Sequence, residues 1–283
     1  MKIFSDHFEA MSAADIVNTI REDGIFACER AITGEAIDAI FEEIGGLDFR
    51  INNNGISPVV HNTQTFLNQF LAVSRTAFSL VTHDRIVSIL EEAFGPTFRI
   101  VGKRIYETRH GNYMSFHSDV GSPCTDTRQL DGLGLIFYMT DVEEGPFEVV
   151  ENSQEWGASH LGSREEDERL LESQKIRTFK MPRGSYVIYN GRLLHRARPI
   201  ETPGVARTSF HFQVNKGKAV GEPVLVNIGW LEGLSEGAQT LLGYGVPNSV
   251  PTDWPRSSPQ NLPKNNDKVR EYVRQNLRHL IAD

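Results

Sequence analysis

Hydrophobic and polar positions follow a helical period over the first 97 residues. Ser12 resembles the start of a capping box and opens a predicted helix that ends near Gly24. Apolar residues at positions 37, 40, 41 and 44 form one stripe, so a second helix is predicted up to Gly45-Gly46. A third helix is predicted over Asp84–Phe94. The N-terminal part is therefore expected to be helical.

From residue 98 the pattern changes to short β-prone runs separated by turn residues. The predicted strands cover residues 98–108, 133–140, 147–150, 176–180, 185–189, 208–214 and 224–228. Many short strands without regularly alternating helices favour a sandwich or barrel over a doubly wound sheet.

Three further segments interrupt or follow these strands. The charged insert at residues 163–173 predicts a solvated helix. Residues 247–263 carry five Pro and little apolar content, which predicts an extended strap or linker. Apolar spacing within residues 269–280 predicts a last amphipathic helix.

Composition and charge exclude several classes of protein. Of the 283 residues 39% are hydrophobic and 23% charged, as in ordinary globular chains and unlike disordered or fibrous ones. The formal net charge of -8 disfavours nucleic acid or an anionic membrane as the main partner. The two cysteines, Cys28 and Cys124, are too few for a disulfide framework or a thiolate zinc cage.

No segment resembles a secretory signal or a membrane span. The N-terminus lacks the long apolar region of a signal peptide. The longest apolar stretch, residues 133–139, is far shorter than the roughly 20 residues that a span requires. A soluble, cytoplasmic protein is expected.

The run His117-Ser118-Asp119 is the first candidate for chemistry. On an extended backbone residues i and i+2 project to one face, so this imidazole and this carboxylate can reach one cation. Nine His and 37 acidic residues give about one such pair by chance, and His7-Phe8-Glu9 is a second match. A hydrogen-bonded pair at a strand end is the alternative interpretation.

A downstream pattern strengthens the metal interpretation. Residues 184–195 run from a turn through an aromatic-rich strand to a second turn that ends in His195. Arg207 and Ser209 then share one strand face and can grip one carboxylate, although Arg207 could instead pair with a surface acid. Two His and one carboxylate on one face of an octahedral ion leave three positions open, which suits non-haem Fe(II) with O2 and a co-substrate.

These residues together resemble the phytanoyl-CoA dioxygenase-like family of Fe(II)/2-oxoglutarate-dependent dioxygenases. The resemblance covers roughly residues 98–215 and includes Gly-Pro-Phe-Glu-Val-Val at 145–150 and Gly-Arg-Leu-Leu-His at 191–195. Where the family often continues into Pro-Gly-Ser-His, this chain has Glu151-Asn152-Ser153-Gln154. That turn lies outside the metal motif, so the departure concerns local shape.

The resemblance implies a fold and a role for each candidate residue. The implied fold is mainly β with flanking helices, a cupin-like double-stranded β-helix or jelly roll. One dioxygenase domain is expected over residues 1–283, with a helical part at 1–97, a jelly-roll core at 98–230 and a C-terminal strap and helix at 231–283. The implied iron ligands, which are also the catalytic residues, are His117, Asp119 and His195. The implied residues for the distal carboxylate of 2-oxoglutarate are Arg207 and Ser209.

The implied reaction uses Fe(II), 2-oxoglutarate and O2 to hydroxylate, or otherwise oxidise, a C–H bond of a small organic metabolite, with release of succinate and CO2. Asp119 argues against halogenation, which needs its coordination position vacant for chloride. Two alternatives stay open: a jelly-roll metalloenzyme that uses the same triad without 2-oxoglutarate, and a non-catalytic binding module. The expected partner is a small-molecule substrate, with neither nucleic acid nor a membrane.

Several other side chains have two interpretations. His211 shares the strand face of Arg207, so it lines the cavity, competes as a ligand or, as favoured here, is a hydrogen-bonded barrel histidine. Phe137-Tyr138 is favoured as core, and residues 164–169 as a solvated helix face. Three residues ahead of the metal motif either touch the ligands or pack elsewhere: Lys103, Tyr106 and Tyr113.

Substrate specificity is expected from segments outside the jelly roll, because binding residues tend to sit on loops carried by a rigid scaffold. The candidates are the Asn-rich loop at residues 52–65, the insert at residues 120–131 and the Pro-rich segment that begins at Pro247. The insert leaves directly from Asp119 and is the favoured lid.

Overall fold

The computed structural model describes the chain in eight stretches that end at Tyr244. The described residues are 1–45, 64–67, 70–110, 114–120, 126, 128–156, 163–217 and 224–244. Tyr113, the predicted strap and the predicted last helix lie outside the described residues, as do most of the Asn-rich loop and half of the 120–131 insert.

Two antiparallel sheets form the centre of the described structure. The strands are β1 Ile25–Cys28, β2 Gln64–Leu67, β3 Phe98–Arg109, β4 Gly132–Tyr138, β5 Phe147–Val150, β6 Ile176–Phe179, β7 Tyr186–Asn190, β8 His195–Ala197 and β9 Ala206–Lys216. The large sheet has the order β1-β7-β4-β9-β3-β2, and the small sheet has the order β6-β5-β8. Two facing antiparallel sheets with helices outside agree with the predicted jelly roll.

Six of the seven predicted strands are confirmed to within two residues at each end. The seventh, at residues 224–228, is wrong, because the chain there is irregular and passes into a 3-10 turn at Ile228–Trp230. Val224 and Val226 instead pack against the helical layer. A short β-prone run can therefore pack against the core without forming a strand, because a strand also needs a neighbouring strand to pair with.

The expectation of a purely helical N-terminal part is also wrong. β1 pairs with β7, with Ile25 opposite Tyr189, and β2 pairs with β3. The apolar run at residues 25–28 directly follows a helix-ending glycine and is too short for a helix of its own. The turn predicted to end in His195 is followed by a three-residue strand, β8, which begins at His195 and is absent from the predicted strands.

Helices lie outside both sheets: most of them pack on the large sheet, and the helix at residues 164–173 lies against the small sheet. They are α1 Asp6–Ala10, α2 Ala13–Asp23, α3 Gly34–Ile44, α4 Arg75–Val81, α5 Asp84–Phe94, α6 Arg164–Ser173 and α7 Glu236–Leu241. The three predicted N-terminal helices and the predicted insert helix are confirmed, whereas α1, α4 and α7 were not predicted. The Ser12 side chain accepts a hydrogen bond from the Asp15 amide, and Gly24 ends α2 with a left-handed φ of 76°. Among the described helices, none has the length and apolar character needed to cross a membrane.

Side chains of β9 alternate between the helical layer and the space between the sheets. Phe210 and Phe212 face the helices, where Phe70 stacks on Phe210 with ring centroids 4.9 Å apart. The burial of such rings supplies much of the stabilisation of this layer. Arg207 and Ser209, at odd-numbered positions of the same strand, face the other way and line a cavity between the sheets.

Candidate metal centre and adjoining cavity

Two neighbouring backbone segments bring His117 and His195 together. The two residues form an antiparallel bridge, in which each amide donates to the carbonyl of the other at 3.0 and 2.9 Å. Their rings project to the same side, with centroids 4.4 Å apart. Histidines that lie 78 positions apart in the chain therefore become neighbours through one local pairing.

Hydrogen bonds to backbone carbonyls orient both imidazole rings. His117 Nδ1 lies 2.8 Å from the Ser115 carbonyl oxygen, and His195 Nδ1 lies 2.9 Å from the Leu193 carbonyl oxygen. A carbonyl oxygen only accepts, so each Nδ1 carries the proton and each Nε2 presents a lone pair. This is the tautomer that binds a metal through Nε2.

Asp119 completes a three-residue cluster. Its two carboxylate oxygens lie 3.9 Å from His117 Nε2 and 3.7 Å from His195 Nε2. One ligand atom from each of the three side chains lies within 4.8 Å of the others, a span that a single ion can bridge. Two imidazole nitrogens and one carboxylate are the donor set of non-haem Fe(II) enzymes.

The protonation states in this cluster also suit a metal. Burial alone would raise the pKa of the Asp119 carboxyl, but the His195 ring and a hydrogen bond from Tyr189 outweigh it, and the pKa is lowered. Burial lowers the pKa of His195 to about 4. Near neutral pH Asp119 is therefore an anion and His195 is a neutral ligand, as metal binding requires.

Tyr189 on β7 orients the carboxylate of Asp119. Its hydroxyl donates to Asp119 Oδ2 at 2.8 Å, and burial raises the pKa of the phenol well above its ordinary value. The residue opposite Tyr189 on β4 is Gly134, where a Cβ atom would lie 2.0 Å from Tyr189 Cζ. Only glycine leaves room for this ring. Sequence reasoning missed the pair, although a glycine inside the apolar 133–139 run was a signal of close approach.

Arg207 faces the same cavity, which has a volume of about 300 Å³. The residue is 6% exposed, its Nε has no hydrogen-bond partner, and it forms no ion pair within the described part of the chain. Burial lowers the pKa of the guanidinium, which nevertheless stays protonated. The alternative pairing of Arg207 with a surface acid is thus not found among the described residues, where its guanidinium is a buried cation without a carboxylate partner.

Ser209 and Tyr138 lie beside Arg207 along the cavity wall. Ser209 is 1% exposed and stands opposite Tyr138 in the register of β4 and β9. Burial raises the pKa of Tyr138 to about 12, so its hydroxyl remains a neutral donor. The favoured interpretation of Phe137-Tyr138 as core is confirmed, since Phe137 stacks on Tyr186 and Tyr138 is buried in a second apolar cluster, but Tyr138 also lines the cavity.

His211, Lys103 and Tyr106 also line the cavity. His211 stands outside the three-residue cluster, so the structure gives no support for a competing ligand among the described residues. Desolvation, reinforced by the charge of Arg207, lowers the pKa of His211 to about 3. Its ring meets the edge of Tyr106 at a centroid distance of 5.0 Å, and the neutral imidazole can both donate and accept.

The sequence profile of the phytanoyl-CoA dioxygenase family matches residues 20–209. The chain belongs to this family. The match begins well before the residues that carry the sequence resemblance and includes β1 and the helices between residues 34 and 94. The predicted resemblance is confirmed, and with it the enzyme class of the family, an Fe(II)- and 2-oxoglutarate-dependent oxygenase.

Solved structures of other proteins share the fold of this phytanoyl-CoA dioxygenase family member. HygX from Streptomyces hygroscopicus, crystallised with nickel and 2-oxoglutarate, has a TM-score of 0.57 and 16% identity over 73% of this chain and 88% of its own. The epimerase SnoN, in complex with Fe3+, alpha ketoglutarate and nogalamycin RO, has a TM-score of 0.56 and 16% identity over 75% and 86%. The carbocyclase SnoK from nogalamycin biosynthesis has a TM-score of 0.55 and 19% identity over 77% and 89%. None of the curated protein sequences compared with the chain matches it.

Proposed function

We propose that this family member hydroxylates, or otherwise oxidises, a C–H bond of a small organic metabolite and releases succinate and CO2 from 2-oxoglutarate. The observation that carries the proposal is a buried Arg207 guanidinium, without an ion-pair partner among the described residues, in the same cavity as a His-Asp-His cluster. The fold shared with HygX, which binds nickel and 2-oxoglutarate, supports it.

His117, Asp119 and His195 would hold the Fe(II) ion. The donor set fits, since both Nε2 lone pairs and one anionic carboxylate face a common point and the three side chains are held by hydrogen bonds to their outer atoms. Fe(II) bound here with 2-oxoglutarate and O2 supplies the oxidising power for the C–H bond. The protein holds the ligands and shields the reaction.

Arg207, Ser209 and Tyr138 would bind the distal carboxylate of 2-oxoglutarate. A guanidinium offers a planar fork of N–H donors, and the two hydroxyl groups add neutral donors at the same depth of the cavity. The dicarboxylate supplies the counter-charge that the fold does not, so the desolvation cost of Arg207 is offset only when this ligand is bound.

Apolar side chains from both sheets limit water near the metal site. Phe147 packs against His195 with ring centroids 5.3 Å apart, and Ile136 and Met114 also face the cavity. Exclusion of water strengthens the electrostatic contacts inside the site and protects reactive species from side reactions.

The substrate would occupy the part of the cavity that 2-oxoglutarate leaves free, and His211 is a polar residue that lines this cavity. A volume of about 300 Å³, part of it taken by 2-oxoglutarate, admits a small metabolite or the reactive end of a larger one. The neutral His211 can hydrogen-bond a hydroxyl or carbonyl group of such a molecule. The binding of hygromycin B by HygX and of nogalamycin RO by SnoN supports an oxygen-rich secondary metabolite.

The test is succinate formation by the Fe(II)-loaded protein with 2-oxoglutarate and a panel of oxygen-rich secondary metabolites. We expect slow 2-oxoglutarate turnover without substrate and at least one compound that stimulates it and gains oxygen or loses hydrogen. Iron binding without any 2-oxoglutarate turnover would instead favour the metalloenzyme that uses the same triad without this co-substrate.

A further inference from the structure

A cluster of buried charges lies behind the strands that carry the two histidines. It consists of Arg196 on β8, Glu148 on β5 and Asp167 on α6, which are 6%, 4% and 1% exposed. Arg196 Nε donates to Glu148 Oε2 at 2.9 Å, and Arg196 Nη1 donates to Asp167 Oδ2 at 3.4 Å. Buried charges persist only when they are paired and hydrogen-bonded in this way.

The contacts of this cluster reach the residues next to both histidine ligands. The Phe116 amide donates to Asp167 Oδ1 at 3.0 Å, and the Arg196 guanidinium lies 4.4 Å from the centre of the Phe116 ring. His117 follows Phe116 in the chain, and His195 precedes Arg196. Successive residues of extended chain point to opposite sides, so the cluster holds the reverse side of the backbone pair that presents the ligands.

Asp167 is an unusual anchor for a helix. It is the one buried residue of α6, and the sequence pattern predicted a solvated face for residues 164–169, which is wrong at this position. Helices normally dock through apolar side chains. The two oxygens of a carboxylate can instead bind one group from each of two chain segments, here a backbone amide and a guanidinium. Such directional bonds fix the separation of the segments, which an apolar contact cannot do.

We infer that Asp167 is a positioning residue for the metal centre, a role that rests on the proposed metal-binding function. One of its oxygens fixes the Phe116 amide, and the other fixes the Arg196 guanidinium. The separation of His117 and His195 is set by these two contacts together with the backbone bridge between them. The helix α6 thereby acts on the metal site from outside the cavity.

The test compares Asp167→Asn with Glu165→Gln. The first substitution keeps an oxygen for the Phe116 amide but removes the charge that faces Arg196. The second removes a charge from the same helix at a side chain that is 83% exposed and that pairs, among the described residues, with Arg169 at 3.6 Å. Co(II) is titrated into the metal-free full-length protein, with calorimetry for affinity and the ligand-field absorption bands for coordination geometry.

We expect Asp167→Asn to weaken Co(II) binding about tenfold or more and to alter the absorption bands, since partners of metal ligands typically contribute this much. Glu165→Gln should match the wild type. Circular dichroism and the unfolding midpoint of the metal-free proteins separate positioning from loss of fold. A folded Asp167→Asn protein with wild-type Co(II) affinity and spectrum overturns the inference and leaves the proposed function intact.

If Asp167→Asn does not fold, Asp167→Glu keeps the charge and shifts the carboxylate, and the same weakening is expected in a folded protein. Failure of both variants to fold overturns the inference, because the role of Asp167 would then be structural. Absence of Co(II) binding by the wild-type protein would overturn the proposed function itself.

Discussion

Arg196 lies on the small sheet and Arg207 on the large sheet. The two arginines differ in the source of the negative charge that balances them. Each is 6% exposed. Arg196 contacts two carboxylates of the fold, at 2.9 and 3.4 Å, and Arg207 contacts none among the described residues. The charge of Arg196 is therefore balanced by carboxylates of the protein, whereas we propose that the charge of Arg207 is balanced by an anionic ligand.

This difference separates the two tasks of the buried charges in the molecule. Behind the small sheet they hold the backbone that presents the metal ligands. In the cavity the buried charge of Arg207 is proposed to pair with a bound ligand. The ligand-free protein therefore bears a desolvation cost that ligand binding offsets. Substitutions in the two regions are therefore expected to affect different quantities: stability and metal affinity around Arg196, and 2-oxoglutarate affinity around Arg207.

The largest effect is expected on the cavity side, at a proposed metal ligand. His117→Ala removes one of three donors, so we expect very weak iron binding and no detectable turnover, measured by metal titration and succinate formation. His7→Ala is the matched control, because His7-Phe8-Glu9 repeats the sequence motif on the exposed helix α1. Wild-type iron affinity in His117→Ala would contradict the assignment of the cluster.

Behind the small sheet, Arg196→Met should lower the free energy of unfolding by about 3–5 kcal/mol, because two buried carboxylates lose their partner. Urea denaturation of the metal-free protein measures the change. Arg198→Met is the control. Arg198 is 51% exposed and lies 3.8 Å from Glu148, so its loss should cost less than about 1 kcal/mol. Equal effects of the two substitutions would show that the buried ion pairs of Arg196 contribute no more to stability than the exposed pair of Arg198.

At the other arginine the opposite result is expected. Arg207→Met should leave the free energy of unfolding unchanged or raise it, since an unpaired buried charge disappears. The affinity for 2-oxoglutarate should fall about a hundredfold, the loss typical of a charge-assisted bidentate contact. Calorimetry with the metal-loaded protein reports the affinity. A destabilised Arg207→Met protein that keeps its 2-oxoglutarate affinity would refute this role.

The smallest of these effects is expected at Tyr189. Tyr189→Phe deletes the hydroxyl that donates to Asp119 and should weaken metal binding about tenfold with little change in 2-oxoglutarate affinity. Gly134→Ala offers an independent route to the same loss, since its Cβ would lie 2.0 Å from Tyr189 Cζ. Metal titration of both variants checks the prediction, and unchanged affinity in both would show that the hydrogen bond does not orient the ligand.

Local patterns were enough for much of the fold and for the candidate ligands. Strands appear as short apolar runs between turn residues, and the i, i+2 spacing of His117 and Asp119 fixes their common side on any extended backbone. The pairing partner of a strand is not a local property. The local pattern therefore places β1 in a helical region, although it pairs with the distant strand β7. Residues 224–228 carry a strand-like pattern and find no strand partner.

The side chains that complete the site depended on contacts across strands. Tyr189 reaches Asp119 only because Gly134 stands opposite it in the register. Tyr138 and Phe137 are neighbours in the chain, and nothing local says which of them faces the cavity.

The sequence by itself determined the strand and helix periods, the family and the residue types of the metal cluster, because these follow from spacing along one segment. The tertiary structure alone decided which buried charges are paired. Asp167 lies on a helix whose sequence predicts a solvated surface. It is buried because Phe116 and Arg196, from distant segments of the chain, hydrogen-bond to its carboxylate. Pairing of charges depends on distance in space, and chain spacing does not encode it for residues brought together by the packing of two sheets and a helix.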